Sequence, residues 1–217
     1  MKSEFLISNI PTGKLNAMVK NIMAKTGITD PEEAVRRLNA GEVYISLIKP
    51  KWTEKDGIIR FSVTSDGTTG EEWIARLEGK GFRVGDYAKS VLRSQDFQPT
   101  SNVNYEVVVL KGDFPIDGSR TSVNIRKKAK RLKFIVPNAE IACLIREKFF
   151  DRELETMGLF WIVVMHEPIK NSAHDFVLLG AGRGGDGRSL SSHNADFGIE
   201  WGRLNGLAFV FSQVSGS

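Results

Sequence analysis

The run Leu159-Phe160-Trp161-Ile162-Val163-Val164-Met165 is the longest unbroken apolar stretch of the chain. Side chains of a strand point alternately to its two faces, so a run with no polar alternation has to be covered on both. The segment therefore reads as a central strand. An amphipathic helical region precedes it and candidate antiparallel strands follow, which are the parts of a sheet-plus-helix fold.

From the N-terminal side, residues 12–26 carry helical periodicity, with Leu15, Met18, Val19 and Ile22 on one face and Gly27 as a stop. Asp30-Pro31-Glu32-Glu33 opens a second helix: Asp30 is a good N-cap, Pro31 fits the first turn and Glu33 completes a capping pattern. Two short helices joined by a glycine turn permit a DNA-reading helix-turn-helix, although such pairs more often pack on a neighbour. Residues 42–48 alternate and read as a strand. Ile58–Val63 reads as its hairpin partner, after the turn signal Lys55-Asp56-Gly57. Gly67-Thr68-Thr69-Gly70 precedes a helix from Glu71 to about Glu78. A loop of this kind can hold an anion on free backbone N–H groups, but Glu71 and Glu72 would repel a phosphate and no Walker lysine is present. A helix over about 87–93 follows. The polar residues 94–102, with Pro99 among them, form the best boundary candidate.

Beyond it, Tyr105–Lys111 reads as a strand, Ser119–Leu132 as a basic helix and Ala139–Phe149 as a helix that is apolar over most of its circumference. Phe176–Leu179, Arg188–Ser191 and Leu207–Phe211 supply the remaining strands. The predicted fold is α+β: a mainly antiparallel sheet with helices packed on one face, preceded by a helix-rich region with a β-hairpin. The expected division is 1–98 and 103–217, with one continuous body as the alternative.

Charge is concentrated. Ser119–Asn138 holds Arg120, Arg126, Lys127, Lys128, Lys130, Arg131 and Lys133 and no acidic residue. Taking these seven positive charges from the net +4 leaves the rest of the chain at −3. At i, i+4 spacing, residues 126, 127, 130 and 131 share a helix face. Such a stripe suits phosphate contacts, which supply the sequence-independent part of nucleic-acid affinity. Arg126, Lys127, Lys130, Arg131 and Lys133 are the candidate nucleic-acid-binding residues, as phosphate contacts rather than base readers. The competing reading is a solvated face paired with acidic neighbours, and no aromatics interleave with the cations to stack on bases.

The other candidates are weaker. Gly180-Ala181-Gly182-Arg183-Gly184-Gly185 matches a dinucleotide-binding GxGxxG, but no helical periodicity follows, so a hairpin turn is expected. His166, His174 and His193 lie near Glu167, Asp175 and Asp196 without a defensible ligand spacing, and no metal or cofactor is expected. Cys143 lies inside the apolar helix and reads as a small buried hydrophobe. As the single cysteine of 217 residues it rules out an intramolecular disulfide and a Cys-based zinc site within one chain.

Two stretches carry a resemblance. One is Phe61-Ser62-Val63-Thr64-Ser65-Asp66-Gly67-Thr68-Thr69-Gly70-Glu71 with Arg76–Val84 after it. The other is Pro137–Phe149, leading to Gly158 and Met165-His166-Glu167-Pro168. Together they resemble small hypothetical proteins of bacterial genomes over most of the chain. The resemblance implies a bacterial cytoplasmic protein and brings no activity, cofactor or site residue with it. Composition agrees with a soluble protein, at 41% hydrophobic and 26% charged. The first eight residues lack the apolar core of a secretion signal, and no run approaches the ~20 residues of a membrane span. The expectation is a non-enzymatic, cytoplasmic binding protein that meets nucleic acid and no membrane. Two alternatives stand beside it: an enzyme using His166, Glu167 and His193, or a protein–protein adaptor.

Overall fold

Trp161–Val164 is strand β5 of a nine-stranded mixed sheet in the computed structural model, which describes residues 12–41, 51–184, 187–196 and 198–215. Ile162, Val163 and Val164 are fully buried. Val163 packs with one apolar cluster and its two neighbours with another. The apolar run is thus covered on both faces, as its lack of alternation requires.

The chain divides into two compact units, Met1–Lys49 and Pro50–Ser217. The first contains α1 (Thr12–Thr26) and α2 (Pro31–Asn39), which pack on each other. Asp30 caps α2 by accepting from the Glu32 N–H, with Pro31 in the first turn. Glu33 does not complete the cap. It pairs instead with Arg36 and Arg37, each at 2.7 Å.

The second unit holds the sheet. Its strands are β1 (Thr53–Lys55), β2 (Ile58–Asp66), β3 (Arg83–Val84), β4 (Ser101–Leu110), β5, β6 (Ile169–Lys170), β7 (Phe176–Gly184), β8 (Gly187–Asn194) and β9 (Asn205–Ser215). They run in the order β1-β2-β4-β9-β5-β7-β8-β3, with β6 against β7. Only β5/β9 and β3/β8 pair in parallel among the described strands. The hairpin partner expected for β2, residues 42–48, lies outside the described residues. β2 pairs with β1 through a two-residue turn, in which Asp56 and Gly57 have φ of 52° and 72°. Positive φ at both central positions gives the twist that a tight hairpin needs.

The division at 98/103 is not the one the contacts make. Residues 94–102 run inside the second unit, where β4 pairs with β2 along most of its length. A polar, proline-containing stretch marks a loop, and here that loop joins α4 (Asp86–Leu92) to β4 within one core.

Helices cover both faces of this sheet, which corrects the expectation of one. α3 (Gly70–Gly79), α4, α6 (Glu140–Lys148) and α7 (Asp151–Thr156) share a cluster with Phe61, Val107, Ile162, Leu179 and Ala208. α5 (Ser122–Arg131) places Ile125 and Ala129 in the other cluster, with Val108, Leu110, Val163, Leu178 and Phe209. Val107 and Val108 are neighbours on one strand and so face opposite ways, which puts α5 across the sheet from the other four.

Candidate polyanion-binding face and the adjoining cleft

Thr121 starts α5 by accepting a hydrogen bond from the Asn124 N–H. Ile125 and Ala129, one turn apart, are buried and fix which way the helix faces. Lys127 and Lys130 are therefore turned to solvent. The helix ends where Lys133 takes a left-handed backbone (φ 60°), letting the Phe134 N–H reach the Ala129 carbonyl at 3.0 Å. Lys133 is exposed as well.

The five expected phosphate contacts separate. Lys127, Lys130 and Lys133 are exposed and form no ion pair among the described residues. Arg131 is exposed and meets Asp117 at 2.7 Å. Arg126 is different: its Nη2 donates to the His166 carbonyl, Nη1 lies 3.8 Å from Glu167 Oε1, and burial pushes its pKa down. It anchors the helix to the end of β5 and does not join the exposed set. Arg120 likewise donates to the carbonyls of Lys111, Trp201 and Asn205 at 3.2–3.4 Å.

Next to the end of α5 lies an aromatic that the sequence did not connect with it. Phe134 and Phe211 meet with ring centroids 6.3 Å apart. Phe211 is 45% exposed, and the Arg60 guanidinium lies 4.9 Å from its centroid. β2, β9 and the segment after α5 bring the three together from distant parts of the chain, so no local spacing could signal them.

A cleft opens beside this face for a topological reason. β5 runs beside β9 as far as the Met165 N–H, which donates to the Ala208 carbonyl. The chain then turns away through His166-Glu167-Pro168. Ile135 takes its place on β9, exchanging both backbone bonds with Val210 at 2.7 and 3.0 Å. Two adjoining hollows of about 450 Å³ each lie at this change of partner and share Pro137, Asn138 and Glu167.

A directional hydrogen-bond chain runs along its wall. The Thr100 hydroxyl and N–H both donate to Glu140 Oε2 at 2.8 Å. The Thr100 proton is thereby committed, so the Tyr105 hydroxyl, 2.9 Å away, donates to Thr100. Tyr105 in turn accepts from Asn138 Nδ2 at 3.2 Å. Glu140 is fully buried, and burial pushes its pKa up against the opposing bonds from Thr100. The outer end of the chain is Asn138 Oδ1, which is buried and accepts no hydrogen bond among the described residues.

The two histidines of the enzyme alternative, His166 and His193, are each enclosed in the protein. His166 is buried with both ring nitrogens engaged: Nδ1 lies 2.6 Å from the Glu167 carbonyl, and Nε2 accepts from the Leu179 N–H at 2.9 Å. Burial pulls its pKa from 6.5 to about 4. His193 lies between Trp161 and Trp201, 4.7 and 6.1 Å from their ring centroids, and burial lowers its pKa to about 4 as well. His174 sits in a turn with φ 66°. No group of three or more His, Cys, Asp or Glu side chains gathers at metal-binding distance among the described residues.

The remaining motifs are structural. Gly180–Gly184 of the GxGxxG stretch lie on β7, which pairs antiparallel with β8 up to Gly184 opposite Gly187; Gly185 lies outside the described residues. A Cβ on Gly182 would sit 2.2 Å from the Trp161 ring, and one on Gly180 would sit 2.6 Å from His193 Nε2, so these glycines make room for neighbouring rings. Thr69 caps α3 in a reciprocal box with Glu72, leaving the Gly-Thr-Thr-Gly loop with its own carboxylate. Cys143 is fully buried, which drives its thiol pKa well up. No helix among the described residues is long and apolar enough to cross a membrane. No family model, curated protein or solved structure matches the chain. The chemistry of the site has to come from its own geometry.

Proposed function

We propose that this protein binds a polyanion, most plausibly nucleic acid, through the exposed side of α5, without catalysing a reaction on it. The observation that carries the reading is that Lys127, Lys130 and Lys133 face solvent without an ion pair among the described residues, while the apolar side of α5 is locked into the sheet. Ammonium groups carried on a fixed helix, with no carboxylate partner among the described residues, attract phosphates through their charge and the counterions these release. The contacts would read the backbone, not the bases.

Phe211 favours single strands as the polymer. An exposed ring next to the basic face offers a base a stacking surface, and such stacking is worth roughly 1–3 kcal/mol per base. The test is binding of labelled duplex DNA and single-stranded RNA to the wild type and to Lys127→Glu/Lys130→Glu. The double variant is expected to bind both polymers at least about tenfold more weakly. Phe211→Ala is expected to weaken only the single strand. Unchanged affinity in the double variant would remove α5 from the account.

A further inference from the structure

We infer that the hollow between α5 and the His166-Glu167-Pro168 turn is a binding site for a small zwitterion with an apolar stem, of the neutral α-amino acid class. The site goes beyond the polyanion reading and uses none of the exposed lysines.

Shape comes first. α5 packs Ile125 and Ala129 onto the sheet, and the turn after β5 stands beside the helix, tied to it by the Arg126 bond to the His166 carbonyl. Between them a hollow of about 170 Å³ remains, lined by Leu178, Ala195, Val123 and Pro168. Leu178 and Ala195 are buried, so this floor is apolar and continuous with the core. A void of about 150 Å³ holds a molecule of about six carbons, so a branched stem of about four has room.

Charge comes second. Arg126 and Glu167 are the two charged residues that line the hollow among the described residues. They stand 3.8 Å apart, Nη1 to Oε1, too far for a hydrogen bond. Among the described residues Arg126 uses one of its N–H donors, on the His166 carbonyl. Its side chain is 26% exposed, so the remaining donors can be reached. The Glu167 carboxylate is 80% exposed and accepts no hydrogen bond among the described residues.

This pair selects by charge. A simple anion on Arg126 would meet the Glu167 carboxylate, and a simple cation on Glu167 would meet the guanidinium. A molecule with a carboxylate beside an ammonium satisfies both: its carboxylate takes N–H bonds from Arg126, and its ammonium donates to Glu167. Partial burial of the guanidinium strengthens the first contact. The stem then lies on Leu178 and Ala195, out of water.

The probes are L-valine, isovalerate and isobutylamine, which carry one branched stem with both charges, the carboxylate alone and the ammonium alone. Each is titrated by calorimetry, up to millimolar concentration at fixed ionic strength, against the wild type, Arg126→Gln and Glu167→Gln. Arg126→Gln keeps an N–H for the His166 carbonyl and removes the charge. Glu167→Gln changes an exposed side chain and keeps the fold if Arg126→Gln does not. Saturable binding of L-valine, at least about tenfold weaker in each folded variant and for each one-charge probe, establishes the site. No saturable binding of L-valine, equal binding of isovalerate or isobutylamine, or unchanged affinity in either folded variant overturns it. Lys127→Glu/Lys130→Glu is expected to bind L-valine like the wild type, which keeps this outcome separate from that of the polyanion reading.

Discussion

α5 and α6 are helices of ten and nine residues on opposite faces of one sheet, and they are used in opposite ways. Seven consecutive residues of α6, Glu140 to Arg146, are buried, including both charged ones. In α5 only Ser122, Ile125 and Ala129 are buried, and Lys127 and Lys130 stand in solvent. The two buried charges of α6, Glu140 and Arg146, have to be met inside the protein. Arg146 donates to the Gly182 and Phe149 carbonyls and pairs with Asp151 at 3.2 Å, while Glu140 takes the Thr100 bonds. On α5 and just past its end, Lys127, Lys130 and Lys133 meet no acidic partner among the described residues. The difference separates charge held inside the fold from charge left in solvent.

The largest effect that would break this contrast lies on α6. Arg146→Ala leaves the Gly182 and Phe149 carbonyls without their donor in the core and Asp151 without its cation. It is expected to cost about 3–5 kcal/mol in chemical denaturation, whereas Lys130→Ala should move stability by no more than about 0.5 kcal/mol. Equal costs would mean that α5 is as deeply integrated as α6.

Acid separates the interior from the surface in a second way. The folded state holds His166 neutral down to about pH 4, against an ordinary value of 6.5. Between those values the unfolded chain takes up a proton that the folded chain refuses. Stability from this residue is therefore complete above about pH 6.5 and is lost as the pH falls toward 4. The loss is on the order of 3 kcal/mol, read from denaturation midpoints across that window. His193, with the same shift, should add a second proton to the slope, and His193→Leu should remove it. A midpoint independent of pH between 4 and 6.5 would contradict the burial of both rings.

Arg126 sharpens the comparison within α5 itself. It belongs with the structural charges, so Arg126→Met should cost about 1–2 kcal/mol of stability and leave nucleic-acid affinity close to wild type. Weaker binding at unchanged stability would place it with the lysines.

What the sequence disclosed follows the range of the interactions involved. The central strand, the cap at Asp30 and the Asp56-Gly57 turn are set by neighbours within a few residues, and each was legible. The same holds for the antiparallel pairing of the GxGxxG stretch, because a helix has to follow a dinucleotide-binding loop and no helical pattern did. The basic stripe was legible as charge but not as geometry. Residues 126 and 127 are adjacent, and only the packing of Ile125 and Ala129 decides that one turns to His166 and the other to solvent. The cleft was not legible at all. It depends on β5 leaving β9 after Met165 and Ile135 arriving there, a pairing across more than seventy residues that no periodicity records. Phe211 lies still further from Arg60 and Phe134 in sequence, for the same reason.

The most direct test of the central claim is the affinity of the wild-type protein for duplex DNA and single-stranded RNA across a salt series. If Lys127, Lys130 and Lys133 each displace a counterion, log affinity should fall against log salt with a slope of about −2 to −3. A slope near zero, or no binding at low salt, would leave those lysines as a solvated helix face.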